Sequence, residues 1–108
     1  MTASVSFAIN SATVSQREMV NIYNVAQWLK ENPNCNVTIT GYADRKTGTA
    51  EYNMKLSQRR AEAVAHILKS DYGIAANRII IESEGSGEQP YPNDNDWNRI
   101  VIFTGGER

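Results

Sequence analysis

The sequence predicts an α+β domain, a two-layer α/β sandwich in which two helices cover one face of a mixed four-stranded sheet. Short segments with alternating apolar and polar residues predict the strands, and two longer segments with apolar residues at helical spacing predict the helices. Their order along the chain is β-α-β-α-β-β. A length of 108 residues fits one domain with one hydrophobic core.

The first half of the chain has the pattern of a strand, a helix and a second strand. Val5 and Phe7 alternate with serines, which predicts a short half-buried strand. Residues 15–18 read Ser-Gln-Arg-Glu, the pattern of a capping box, and predict a helix start. Helical spacing of apolar residues continues until Pro33 and the asparagines beside it end the helix. Apolar residues alternate with threonines over 37–41, which predicts the second strand.

The second half has the pattern of a long helix followed by two strands. The helix begins between Ala50 and Ser57, and we expect Gly73 to end it as a left-handed cap. Three consecutive isoleucines at 79–81 are typical of a buried strand. A long polar loop follows, and the apolar run 100–103 predicts the last strand.

Composition excludes several classes of function. Hydrophobic residues make up 41% of the chain and charged residues 21%, which is ordinary for a globular protein. A net charge of -1 and scattered lysines and arginines give no basic surface for nucleic acid. The single Cys35 cannot form an internal disulfide or belong to a set of zinc ligands. We therefore expect no metal and no cofactor.

Arg60 lies where the helical pattern calls for an apolar residue. Leu56 is four residues before it and Val64 four residues after it, so the three share one row of the helix. A guanidinium in this row is at least partly desolvated and requires hydrogen bonds and an anion. Arg59 is turned about 100° around the helix and reaches solvent more easily.

Asp44 is the anion that the sequence places nearest. It leaves the second strand where the chain turns toward the helix of Arg60, and consecutive elements usually pack together. Two interpretations follow. Asp44 and Arg60 form a structural salt bridge, or both bind a ligand that carries an ammonium and a carboxylate, such as a free amino-acid end.

Two motifs carry a resemblance to a known family. They are Gly41-Tyr42-Ala43-Asp44 and, after a loop with Gly48, the run Asn53-Met54-Lys55-Leu56-Ser57-Gln58-Arg59-Arg60-Ala61. In this order, on a strand end and a helix, they resemble the OmpA-like C-terminal domain, the peptidoglycan-binding module of Gram-negative envelope proteins. The resemblance spans nearly the whole chain. The segments 46–53 and 95–99 resemble the Bacteroidetes branch of the family.

The resemblance implies non-covalent binding of the peptide stem of peptidoglycan through the free amino-acid end of meso-diaminopimelate. It implies an OmpA-like domain over 1–108, cut from a longer envelope protein, on the periplasmic side of the outer membrane. Association with that membrane would depend on a missing upstream segment. The alternative is an assembly module of the same fold, with an Asp44–Arg60 salt bridge and no ligand. The ligand-binding positions that the resemblance implies are Asp44, Arg60, Asn53, Tyr52, Asn10, Ala43 (through its backbone) and Arg99.

Other candidates for chemistry have simpler interpretations. We expect His66 to be a surface residue, because no serine or cysteine nucleophile is placed to use it. The acidic segment 93–96 lacks the spacing of a calcium loop and reads as a solvated loop. Trp28 and Trp97 could stack on sugars, but packing in the core or at a rim is the expectation. We predict a binding protein and not an enzyme, with a hydrolase as the alternative from another class.

Overall fold

The element order confirms the predicted β-α-β-α-β-β arrangement. The computed structural model describes residues 1–107. Its strands and long helices are β1 (Thr2–Ser6), α1 (Met19–Glu31), β2 (Cys35–Tyr42), α2 (Ala50–Ser70), β3 (Ile79–Gly85) and β4 (Ile100–Glu107). Three short 3-10 helices span Gln16–Glu18, Ala76–Arg78 and Asn95–Asn98. No helix in the described residues is long and apolar enough to cross a membrane.

The sheet is mixed, as predicted, with the strand order β1-β4-β2-β3. Strand β4 pairs antiparallel with both β1 and β2. Strands β2 and β3 are parallel, and α2 makes the crossover between them. As a result, β1, β2 and β3 finish, and β4 begins, at the same end of the sheet.

Both helices pack on one face of the sheet and share one core with it. Strand β2 alternates strictly between buried and half-buried residues, as expected for a strand with one covered face. The helices add the apolar stripes predicted from their spacing. The core contains Val5, Phe7, Ile22, Val25, Ala26, Leu29, Val37, Ile39, Ala61, Val64, Ala65, Leu68, Ile74, Val101 and Phe103.

Strand β3 exists as predicted, but the prediction that its isoleucines are buried is wrong. Ile80 is 46% exposed and Ile81 is 41% exposed, and only Ile79 packs against the core. The reason is strand order, since β3 is an edge strand with β2 as its only neighbour. A β-branched run indicates a strand, but it does not show how many neighbours the strand has.

The capping box predicted at Ser15 does not form. The Ser15 side chain makes no capping hydrogen bond, and residues 16–18 form a 3-10 turn before α1 begins at Met19. The Glu18 carboxylate instead accepts a hydrogen bond from the backbone N–H of Ser6, at 2.5 Å. Glu18 therefore ties the start of α1 to the end of β1.

Both ends of α2 have clear local causes. Thr49 is the N-cap, and its hydroxyl accepts the backbone N–H of Tyr52 at 3.1 Å. Gly73 has a φ of 68° and donates to the carbonyl of Lys69, which confirms its prediction as a left-handed cap. His66 is exposed on this helix, as predicted.

Gly41 allows α2 to approach β2 closely. A Cβ at this position would lie 2.0 Å from the backbone oxygen of Ser57 and 3.4 Å from Cβ of Ala61. Only glycine fits between a strand and a helix at this separation. The contact sets the distance between the strand that leads to Asp44 and the helix that carries Arg60.

Candidate functional site

The residues selected from the sequence lie at the end of the sheet where three strands finish and β4 begins. Tyr42 pairs with Gly85, and Ser6 pairs with Ile100, so these four strand termini lie side by side. The loops that leave them and the first half of α2 surround one place. Both charged residues singled out from the sequence are located there.

Asp44 is buried, with 3% of its surface exposed, and side chains from two loops hold its carboxylate. Oδ2 accepts hydrogen bonds from Oγ1 of Thr47 at 2.6 Å and from Nδ2 of Asn95 at 3.0 Å. Oδ1 lies 3.7 Å from Nη1 of Arg99, which is also 3.1 Å from Oδ1 of Asp96. These donors are all side chains, and side chains can rotate away from the carboxylate.

The same contacts keep Asp44 ionised at neutral pH. Burial alone raises the pKa of this carboxyl group. The hydrogen bonds from Thr47 and Asn95 and the charges of Arg99 and Arg60 outweigh burial, so the pKa lies below its usual value of 3.8. A buried carboxylate that remains charged can accept strong hydrogen bonds from a cation.

Arg60 is fully buried and is held by backbone carbonyls. Nε donates to the carbonyl of Ser11 at 2.8 Å, Nη1 to that of Tyr42 at 2.9 Å and Nη2 to that of Ala8 at 3.1 Å. The guanidinium carbon lies 5.3 Å from the ring centroid of Phe7. A guanidinium has five N–H groups, and the two outside these three bonds belong to Nη1 and Nη2.

Arg60 remains a cation in this environment. Burial lowers its pKa to about 10, and the charge of Asp44 acts in the opposite direction. A pKa of about 10 is still well above neutral pH. The predicted desolvated guanidinium is therefore confirmed, whereas the exposed Arg59 lies over the ring of Tyr52, 5.9 Å from its centroid.

Asp44 and Arg60 do not form a salt bridge with each other. Among residues 1–107 no nitrogen of Arg60 lies within 4.0 Å of a carboxylate oxygen of Asp44, and the ion-pair partner of Asp44 is Arg99. The alternative of a structural Asp44–Arg60 salt bridge is thus wrong. Arg60 donates its hydrogen bonds to backbone carbonyls. Two of them, those of Ala8 and Ser11, belong to the turn over 8–11, which folds across the guanidinium.

Asn53, Tyr52 and Asn10 surround the two charges and link the segments that carry them. Nδ2 of the buried Asn53 donates to the backbone oxygen of Asp44 at 3.3 Å, which fixes the strand end. The Tyr52 hydroxyl donates to Oδ1 of Asn10. Asn10 has a φ of 55°, a conformation that asparagine tolerates, and lies in the turn held by Arg60.

Ala43 and Arg99 also lie at this end of the sheet. The backbone N–H of the buried Ala43 donates to Gly85 at 2.8 Å, and its carbonyl accepts from Nε2 of Gln89 at 2.9 Å. Arg99 is mostly buried, and in the described chain its Nε is a buried donor without a partner. The structure brings all seven predicted positions together. Their role toward a ligand stays a prediction.

Three residues of this arrangement were not predicted. Thr47 and Asn95 bond directly to Asp44, and the buried Asn98 bonds to both backbone groups of Tyr91. Asn95 lies 51 positions from Asp44, so no local spacing could connect them. In the sequence, the resemblance of the segment 95–99 to the Bacteroidetes branch was the signal that pointed to this loop, whereas its acidic part read as a solvated loop.

The arrangement suits recognition of charge by hydrogen bonding. In the described residues no group of three histidine, cysteine, aspartate or glutamate side chains could hold a metal ion. One buried carboxylate and two mostly buried guanidinium groups, Arg60 and Arg99, lie within one cluster. Such a cluster is complementary to a ligand that carries an ammonium beside at least one carboxylate.

The fold is that of a known class of cell-envelope domain. The chain is similar to the crystal structure of the peptidoglycan-associated lipoprotein from Burkholderia pseudomallei, with a TM-score of 0.88 and 30% identity. The similarity covers 96% of this chain and 90% of that one. Residues 6–101 match the OmpA family, and the chain belongs to that family. The resemblance noted in the sequence is confirmed.

Two relatives place the chain within the family. It is 54% identical to outer membrane protein 40 of Porphyromonas gingivalis, a Bacteroidetes-type protein, over 94% of this chain. It is 38% identical to the peptidoglycan-associated lipoprotein of Brucella melitensis, over 78% of this chain. The chain spans 26% of the first protein's length and 48% of the second's.

Proposed function

We propose that this domain binds peptidoglycan non-covalently through the diaminopimelate of the stem peptide and so anchors the outer membrane to the cell wall. The observation that carries the proposal is that Asp44 and Arg60 are both buried, both charged, close together and not paired with each other. Asp44 has Arg99 as its ion-pair partner and Arg60 donates to backbone carbonyls, so neither charge neutralises the other and both can bond to one ligand.

The free end of diaminopimelate has the complementary chemistry. Its ammonium suits Asp44, which accepts hydrogen bonds at Oδ2 from exchangeable side-chain donors. Its carboxylate suits the two N–H groups of Arg60 that do not bond to Ala8, Ser11 or Tyr42. One ligand group thereby interacts with both buried charges.

Binding requires local opening, because neither charge is exposed. The hydroxyl of Thr47 and the amide of Asn95 already donate to Asp44 as an ammonium would. An incoming ammonium takes over these bonds while the two side chains rotate outward. The exchange conserves the number of hydrogen bonds to the carboxylate, so its net cost stays small.

A single stem peptide should nevertheless bind weakly. Association costs several kcal/mol in lost translational and rotational freedom, and here a pocket must also open. Many domains on one polymeric cell wall compensate, since linked binding events raise the effective concentration. Weak, repeated contacts of this kind suit an anchor.

The relatives support the same location and class. One is named an outer membrane protein and others peptidoglycan-associated lipoproteins, which supports a position on the periplasmic side of the outer membrane. We propose a binding domain without enzymatic activity, attached to the membrane through a segment outside this chain.

Retention on purified cell-wall sacculi tests the proposal. Wild-type protein should sediment with sacculi that contain diaminopimelate, and Asp44→Asn should remain in the supernatant because the ammonium loses its charged partner. Asp71 is an exposed aspartate at the far end of α2. The Asp71→Asn variant is therefore the matched control and should sediment like wild type.

The chemistry of the ligand is tested with the same assay. Sacculi with lysine in place of diaminopimelate lack the second carboxylate, and we expect retention to fall strongly on them. Equal sedimentation with both kinds of sacculi would show that the cluster does not recognise diaminopimelate. Retention of a folded Asp44→Asn protein would show the same.

A further inference from the structure

An exposed aromatic pair, Tyr91 and Trp97, lies beside the Asp44–Arg60 cluster. Trp97 is 60% exposed and Tyr91 is 39% exposed. Their ring centroids lie 5.6 Å apart with an interplanar angle of 59°. Two adjoining exposed rings offer an apolar surface on which a ligand can pack.

A buried side chain links the backbone segments that carry the two rings. The buried side chain of Asn98 accepts the N–H of Tyr91 through Oδ1 at 2.8 Å and donates through Nδ2 to the Tyr91 carbonyl at 2.9 Å. The same Nδ2 lies 3.3 Å from the carbonyl of Asp94. Since Trp97 immediately precedes Asn98, this buried amide ties together the backbone segments that carry the two rings. Rigid aromatic side chains bind with little loss of conformational entropy.

The pair is also continuous with the proposed peptide site. Trp97 belongs to the turn Asn95–Asn98, whose Asn95 donates to Asp44. A depression of about 220 Å³ beside the ring is lined by Ser6, Phe7, Asp96, Trp97 and Arg99. One wall is therefore aromatic, and another carries the carboxylate of Asp96 with the guanidinium of Arg99 at 3.1 Å.

This combination suits a sugar ring. A pyranose has a face of C–H groups that packs on an aromatic ring, and an edge of hydroxyl groups that hydrogen-bond to charged side chains. We propose that Trp97 and Asp96 form a subsite for an N-acetylated hexosamine of the glycan strand, next to the stem peptide. The proposal rests on the proposed function, since it assumes that the stem peptide occupies the Asp44–Arg60 cluster.

The test compares two probes by calorimetry: a stem peptide that contains diaminopimelate, and the same peptide attached to its N-acetylated disaccharide. Wild type should bind the disaccharide-peptide about three- to tenfold more tightly, the contribution of one aromatic contact. Trp97→Ala should abolish this difference and leave the affinity for the bare peptide unchanged. Trp97→Phe should keep most of the difference, because it keeps a ring.

Ile80→Ala removes another exposed apolar side chain, on edge strand β3, and should behave like wild type with both probes. Equal wild-type affinity for the two probes would overturn the sugar subsite. So would a Trp97→Ala protein that weakens both probes alike, since that result assigns Trp97 to the peptide.

The two proposals fail in different ways. A wild-type domain that binds the disaccharide-peptide through Trp97, but not the bare peptide, keeps the sugar subsite and refutes the stem-peptide site. Binding of neither probe refutes both proposals.

Discussion

Replacing Gly41 with alanine should destabilise the domain by about 3 kcal/mol, because the new Cβ would lie 2.0 Å from the backbone oxygen of Ser57. A backbone atom cannot turn aside as a flexible side chain can, so α2 must move away from β2. Urea unfolding measures the loss of free energy. The displacement separates Arg60 from Asp44, so retention on sacculi should fall as well.

Gly106→Ala provides the matched control for this substitution. Gly106 also lies in a strand, but a Cβ there would meet nothing within 4 Å. We expect its free energy of unfolding to change by less than about 0.5 kcal/mol. If Gly41→Ala were as stable as Gly106→Ala, the close approach of helix and strand would not be the reason for glycine at position 41.

Arg60→Ala should have the other large effect, a loss of about 3 kcal/mol or more in the free energy of unfolding, because three carbonyls lose their donor. It leaves the carbonyls of Ala8, Ser11 and Tyr42 without their shared donor inside the protein. The turn over 8–11 should then lose its attachment to α2. Urea unfolding gives the total, and hydrogen exchange of the amides in the turn locates the change.

Arg59→Ala is the control, since it removes the same side chain one position earlier. Arg59 is exposed and its guanidinium carbon lies 5.9 Å from the Tyr52 ring centroid, so we expect a loss of about 1 kcal/mol or less. Equal stabilities of the two variants would show that Arg60 does not organise the turn. Because Arg60 also supports the fold, Asp44→Asn is the cleaner variant for binding experiments.

The sequence predicts the general form of this site well. Arg60 stands out because a cation interrupts an apolar row, and Asp44 because it follows a strand whose alternation is clear. Both signals are local, since helix and strand periodicity decide which side chains face the core. The burial of Arg60 and the separate position of Arg59 follow from the helical periodicity. The burial of Asp44 does not, because Asp44 lies beyond the end of β2 and side chains from two loops enclose it.

The partners of the two charges could not be predicted in this way. Asp44 bonds to Asn95 across 51 positions, and Arg60 bonds to Ala8 across 52. Both contacts depend on how the loops fold over the end of the sheet. No periodic pattern in the sequence specifies the path of these loops. The exposed isoleucines of β3 have the same explanation, because strand order is a property of the whole sheet.

Glu18 illustrates a competition between local and distant partners. Its spacing from Ser15 fits a capping box, yet its carboxylate bonds to the backbone of Ser6 at the end of β1. That contact satisfies a backbone donor at a strand end, and the helix start shifts to Met19. A local motif was outweighed by a tertiary contact that the sequence does not show.

The most direct measurement of the central claim is the affinity of the domain for two forms of one stem peptide. In the first, diaminopimelate has its free ammonium and carboxylate; in the second, that carboxylate is a neutral amide. If Arg60 binds the carboxylate, wild type should bind the amidated peptide about ten- to a hundredfold more weakly, the value of one charged hydrogen-bonded contact. Equal affinity for the two peptides would contradict the claim that the Asp44–Arg60 cluster recognises a free amino-acid end.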